Sequence, residues 1–270
     1  MIAAVTVALA VVPTFLLLAY FRARDLNPEP ARMLWTTFGW GVLICGPVIP
    51  IEFGVEKLIA PLAQLPYEHG LLHALFGAAV PEELFKLAVV VFIGMRSREF
   101  DEPMDGIVYG AVASLGFASL ENLLYVASEQ HSLRVAVLRG LTAVPGHAFM
   151  GAIMGYYAGQ TRFGAVSAQA SNWTKAFAVP VLLHTLYDFP ALTLQTLEKL
   201  QHGTASTGTL PFLTVAVLLF EWRMTIRLVH ALRGAQIGEF KQVVTHIATE
   251  MQATEILDAM AQPDPRPSAG

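Results

Sequence analysis

Seven apolar runs, each near 20 residues, leave this 270-residue chain few ways to fold. They lie at about 2–21, 33–53, 70–95, 105–127, 135–159, 174–196 and 210–231. A helix of roughly 20 residues crosses the ~30 Å hydrocarbon layer and satisfies its own backbone hydrogen bonds there. With 54% apolar and 14% charged residues, the composition is that of a polytopic membrane protein. The expected fold is all-α: a membrane bundle of about seven transmembrane helices plus a C-terminal amphipathic helix.

The positive charges set the expected orientation. Arg22, Arg24 and Arg32, then Arg96 and Arg98, then Arg162 and Lys175, then Arg223, Arg227 and Arg233 fall on alternate loops. Cations mark the cytoplasmic side, which puts the N-terminus outside and the C-terminus in the cytoplasm. The first run has no basic segment before it and reads as an uncleaved anchor rather than a signal peptide. A net charge of −4 with no basic patch argues against nucleic-acid binding. The single cysteine, Cys45, allows neither an intramolecular disulfide nor a Cys-rich zinc site.

After the last run, Ile237, Phe240, Val244, Ile247 and Met251 recur at three- and four-residue steps, the stripe of an amphipathic helix on the membrane surface or under the bundle. The expected organisation is two N-terminal helices (1–69), a membrane-embedded core (70–196), a last helix (197–233), the amphipathic helix (234–262) and a disordered tail (263–270). Residues 204–209 read as a short Gly/Thr/Ser loop.

Charges at bilayer depth are costly, so ionisable residues inside spans face the bundle interior and mark function. The third span carries Glu82, Glu83 and Lys86, with Lys86 one helical turn from both carboxylates. Two adjacent carboxyls in a poorly solvated place repel each other, so one tends to hold a proton unless a cation keeps it charged. Glu121 follows in the fourth span, sharing a face with Phe117, and His147 in the fifth just after Pro145 and Gly146. The sixth span has His184 and Asp188 at a four-residue step, a spacing that lets the carboxylate orient the imidazole. Gly106, Gly110, Ala113 and Gly116, and again Gly151, Gly155 and Gly159, form small-residue faces for close helix packing.

At 1.5 Å per residue, Glu82, His147 and His184 reach similar depths and could share one cavity. Two carboxylates and two histidines there suit water activation and oxyanion stabilisation, the needs of peptide-bond hydrolysis. A proton-coupled transporter and a silent scaffold use similar residues. The transporter predicts paired repeats with broken helices, which are not found in the sequence.

The ordered set Glu82-Glu83-x-x-Lys86, Phe117-x-x-x-Glu121-Asn122, His147 and His184-x-x-x-Asp188 resembles the PrsW family of intramembrane proteases. The segments Asp105-Gly106-Ile107-Val108-Tyr109-Gly110 and Glu121-Asn122-Leu123-Leu124-Tyr125 strengthen that resemblance. The family is similar to the type II CAAX-prenyl endopeptidases. The resemblance implies an enzyme of the bacterial cytoplasmic membrane that cuts membrane-anchored proteins such as anti-sigma factors. It implies Glu82 as water-activating base with Glu83 and Lys86 in support, and His184 with Asp188 at the scissile carbonyl. Glu121 stands where the CAAX enzymes carry a histidine, which leaves the base open between Glu82 and Glu121; His147 is counted among the catalytic residues with its part in the reaction open. Glu83, Glu121, His147 and His184 are also candidate ligands for Zn2+, so a metal-free and a zinc-dependent form both stay open.

Overall fold

The structure is a computed structural model and describes residues 2–63, 65–128, 132–201 and 209–261. The expected loop at 204–209 falls almost wholly outside the described residues, and the expected tail at 263–270 lies outside them entirely. The described residues form ten α-helices and no strand: α1 Ile2–Arg24, α2 Ala31–Leu43, α3 Cys45–Ile59, α4 Pro66–Leu72, α5 Val80–Val89, α6 Pro103–Ser128, α7 Ser132–Leu141, α8 Ala143–Phe163, α9 Gln169–Gln201 and α10 Leu210–Ala261.

Among the described residues, four stretches are long and apolar enough to cross a membrane: Ala4–Arg24, Ala31–Ile59, Pro103–Ser128 and Val166–Glu198. The other three expected spans are helical too, but carry several ionisable residues or a break. Thr142 separates α7 from α8, and α10 carries Glu221, Arg223 and Arg227. Leu16, Phe53, Leu84 and Phe92 lie on the outside of the bundle, the apolar exterior of an integral membrane protein.

The third span is one winding helix. Between α4 and α5 the turns at His73–Ala79 widen to π-helix, and they widen again at Val90–Gly94. Pro81 explains the first widening: it lacks a donor, and its ring crowds the carbonyl one turn back. The chain answers with a wider turn in which Val80 N donates to Leu75 O. Such π-turns re-aim the side chains that follow, here Glu82 and Glu83.

The middle of the bundle is α6, which packs against α8, α2 and α1. The two glycine faces meet there. A methyl group at Gly155 would collide with the Gly106 carbonyl, and one at Gly110 with the Gly151 carbonyl. On the other side Gly41 faces the Ala113 carbonyl, and Gly116 the Phe38 carbonyl. Backbone meets backbone, so no side chain can yield. Gly155→Leu is therefore expected to cost about 1–3 kcal/mol, at the upper end of overpacking penalties, in reversible unfolding from detergent. A loss within about 0.5 kcal/mol would contradict this packing.

The loops that carry the cations gather at one end. Asn27 Nδ2 donates to Glu102 at 3.4 Å, Gln236 Nε2 donates to Asp25 and Glu102 at 3.1 and 2.6 Å, and Arg162 Nη1 donates to Met95 O at 3.0 Å. Burial, with the neighbouring charges of Asp105 and Asp25, pushes the Glu102 carboxyl up to about 7, and burial likewise raises Glu29. A native value above the unfolded one means that the folded chain binds the extra proton. The stability this contributes is complete below pH ~4.5 and lost as pH rises through about 7. Thermal melting of the chain and of Glu102→Gln at pH 5 and pH 8 checks it: the pH-dependent loss is expected to shrink in the variant, and an unchanged loss contradicts the assignment.

At 52 residues, α10 is about 78 Å long and outruns the bilayer. The last span and the expected amphipathic segment are thus one unbroken helix. Beyond residue 233 its apolar stripe, Ile237, Phe240, Val244 and Ile247, is exposed.

Candidate functional site

Inside the bundle, α5, α6, α8 and α9 turn their ionisable residues towards one another. Lys86 is the hub. Its fully buried ammonium donates to Glu82 Oε2 at 2.8 Å, to Glu83 Oε1 at 2.8 Å and to His147 Nδ1 at 3.0 Å. Helical spacing brings Glu82 and Glu83 to it from its own helix, and α8 supplies the imidazole. The ammonium also lies 4.3 Å from the centre of the Phe117 ring, a cation–π contact in a poorly solvated setting.

The hydrogen bonds fix the histidine protons. His147 accepts at Nδ1 from Lys86, so its Nε2 donates to Glu121 Oε2, 3.0 Å away. Glu121 Oε2 is paired as well with Arg139 Nη2 at 2.8 Å. Arg139 Nε donates to Asn122 Oδ1 at 3.1 Å, and Asn122 Nδ2 donates to Ala10 O at 2.8 Å, which ties the network to α1. On the other side, His184 places Nδ1 2.8 Å from Glu83 Oε1 and Nε2 3.1 Å from Asp188 Oδ2. Both ring nitrogens of His184 point at carboxylate oxygens, so both act as donors.

All seven residues singled out from the sequence therefore sit in one hydrogen-bonded network. Glu82 Oε2 occupies its centre, 4.0 Å from both His147 Nδ1 and His184 Nε2. Glu82, Glu83, Lys86, His147 and His184 are buried, while Glu121, Arg139 and Asp188 retain about a fifth to a quarter of their side-chain exposure. The network opens to its surroundings on that side.

Two carboxylates escaped the sequence reading. Glu52 on α3 lies close to Glu82. Glu221 on α10 is completely buried, with both oxygens unpartnered. Each lies inside an apolar run, at residues 33–53 and 210–231. The cost of charge at depth was the signal that could have found them.

A metal ion is the other test of the site. Glu82, Glu83, His147 and His184 each offer a donor atom, all within 4.8 Å of one another, and Glu83 Oε2 is buried without a partner. Kind and closeness suit zinc. Glu121, a candidate ligand from the sequence, is not one of these four and pairs with Arg139 instead. Three of the four donor residues, however, are already bonded to the Lys86 ammonium. A dication in the same place would sit against a buried positive charge. As arranged, the centre fits the ammonium and does not fit a metal beside it.

Residues 29–220 match the model of a family described as PrsW family intramembrane metalloprotease. The chain is 36% identical over 187 residues to Protease PrsW of Geobacillus kaustophilus, covering 68% of this chain and 78% of that protein. To Protease PrsW of Oceanobacillus iheyensis it is 35% identical over 179 residues, covering 66% and 79%. To that of Bacillus subtilis it is 35% identical over 184 residues, covering 68% and 81%. No solved structure shows a significant match.

Proposed function

Since this chain belongs to the PrsW family and is an intramembrane endopeptidase, we propose that the Lys86 network is its catalytic centre and that it works by glutamate-activated water. The catalytic core is then residues 70–196. One observation carries this reading: Glu82 Oε2 is held by Lys86 at 2.8 Å while lying 4.0 Å from both imidazoles. A carboxylate so placed has a counter-ion on one side and a proton donor, His184 Nε2, on the other.

The steps follow from that placement. A water next to Glu82 gives it a proton, and the resulting hydroxide adds to the peptide carbonyl carbon. His184, turned from Asp188, donates from Nε2 to the developing oxyanion. As the intermediate collapses, the C–N bond breaks and the proton on Glu82 passes to the leaving nitrogen, which restores the carboxylate. Lys86 balances the charge of Glu82 and Glu83 throughout, and His147 with Glu121 and Arg139 holds Lys86 in position. The family's description names a metal. The Lys86 ammonium, bonded to three of the possible ligands, supports the form without one, and no step here uses a metal.

The substrate on this reading is a protein anchored by a membrane helix, of the anti-sigma-factor kind that the resemblance implies. The proposed setting is a bacterial cytoplasmic membrane with the N-terminus outside. Support for that orientation comes from Arg24, Arg96, Arg98 and Arg162, which lie at or near the bundle end where Asp25, Glu102 and Gln236 meet. The test is the purified chain in lipid vesicles with a single-span reporter protein, its products read by mass spectrometry. A new terminus in or beside the apolar segment is expected. An uncut reporter across a panel of unrelated single-span sequences would sink the reading.

A further inference from the structure

At the opposite end of the bundle a second cluster stands apart from the Lys86 network. Glu56 comes from the last turns of α3, His69 from α4, and His73 opens the π-helical stretch that leads to Glu82. His69 and His73 are four residues apart and share a face. His69 Nε2 lies 3.1 Å from Glu56 Oε1, and His73 Nδ1 lies 3.2 Å from Glu56 Oε2. One donor atom from each of the three falls within 4.8 Å of the others.

The arrangement around the cluster suits a cation. The Thr196 hydroxyl gives its proton to Leu192 O at 2.9 Å and lies 3.2 Å from His69 Nδ1. A hydroxyl has one proton, so towards His69 it accepts and Nδ1 donates. Thr196 thus puts a proton on Nδ1 and leaves Nε2, which faces Glu56 Oε1, as the ring nitrogen a metal ion can take. Glu56 Oε2 is buried and accepts no hydrogen bond, although a ring nitrogen of His73 is 3.2 Å away. A positive ion between these atoms gives Glu56 Oε2 a partner. Bonds of 2.0–2.2 Å to a tetrahedral zinc place its ligand atoms about 3.3 Å apart, close to the separations seen here.

We propose that Glu56, His69 and His73 bind one divalent transition-metal ion of the zinc type, with Thr196 as the outer partner that fixes the His69 tautomer. Two histidines and a carboxylate are a familiar zinc set in kind, and the partial exposure of all three leaves room for entry and for a water as fourth ligand. The ion ties α3 to α4 and, through Thr196, to α9. Those elements continue into Glu82 and Glu83 on one side and come from His184 and Asp188 on the other. The proposal does not depend on the proteolytic reading of the Lys86 network.

The test uses the full chain in detergent, stripped with a chelator and dialysed against zinc, with bound metal measured by mass spectrometry and cobalt(II) substitution read by its ligand-field absorption. One equivalent is expected in the intact chain and in Glu82→Gln. His69→Ala, His73→Ala and Glu56→Gln are expected to lose it, and Thr196→Val to weaken it about 10- to 100-fold, as for outer-shell partners. Equal melting of these variants and the intact chain without zinc guards against misfolding, with Glu56→Gln and Thr196→Val the mildest changes. Three results overturn the proposal: no zinc in the intact chain, zinc retained by His73→Ala and His69→Ala, or zinc lost from Glu82→Gln but kept by His73→Ala. The last would put the ion among the Lys86 network instead.

Discussion

Glu82→Gln is expected to slow cleavage of a single-span reporter by about 10²- to 10⁴-fold, the usual loss on removing a general base. The amide keeps the size of the side chain and an oxygen that can still accept from Lys86 Nζ, now 2.8 Å from Glu82 Oε2. What it loses is the ability to take a proton from water. The fall should therefore appear in kcat, with KM nearly constant, and the melting temperature should stay close to that of the intact chain. Glu121→Gln is the control for the rival base. Glu121 is already paired with Arg139 at 2.8 Å and with His147 at 3.0 Å, which suits positioning better than proton abstraction. Its loss should be smaller and should come with weaker stability. A reversed order, Glu121→Gln silencing the enzyme while Glu82→Gln leaves it working, would move the base to Glu121.

Lys86→Met is expected to destabilise the folded chain by about 3–5 kcal/mol, the cost of leaving buried charges without their partner. Lys86 has no exposure, and neither has Glu83; removing the ammonium strips Glu82, Glu83 and His147 of one bond each. The methionine fills the volume, so the loss is electrostatic rather than a cavity. The pair Glu83→Gln and Lys86→Met, which removes a charge of each sign, should recover part of the stability without restoring activity. Reversible unfolding from detergent measures both. A loss within about 1 kcal/mol for the single change would mean that Lys86 is not the counter-ion of this centre.

What could be read beforehand depended on whether the information was local. Run length and apolar content are local, and the fold class follows from them. Spacing within a helix is local as well, so the pairs Glu82–Lys86 and His184–Asp188 and the glycine faces of α6 and α8 were legible. Which way one helix faces another is not encoded in its own spacing. The bond between Lys86 and His147, the contact of Arg139 with Glu121 and the approach of Glu52 to Glu82 all depend on that relative rotation. The π-helical turns around Glu82 and Glu83 shift the face of α5 by part of a turn, and only Pro81 hinted at them. The amphipathic stripe was visible, but its continuity with the last span was not, because Gly234, just after Arg227 and Arg233, reads as a helix stop, and one helix runs through it and Gly238. Glu221 is a plain omission: a carboxylate in an apolar run, one residue past the family match, completely buried and without a partner.

The most direct test of the central claim is a quantitative comparison of new protein N-termini in membranes from cells producing the intact chain and cells producing Glu82→Gln at matched levels. The account predicts a small set of single-span proteins cut in or beside their membrane segments by the intact chain and left whole with the variant. Indistinguishable termini, with both chains folded and equally abundant, would contradict it and leave the Lys86 network a structural tie rather than a catalytic one.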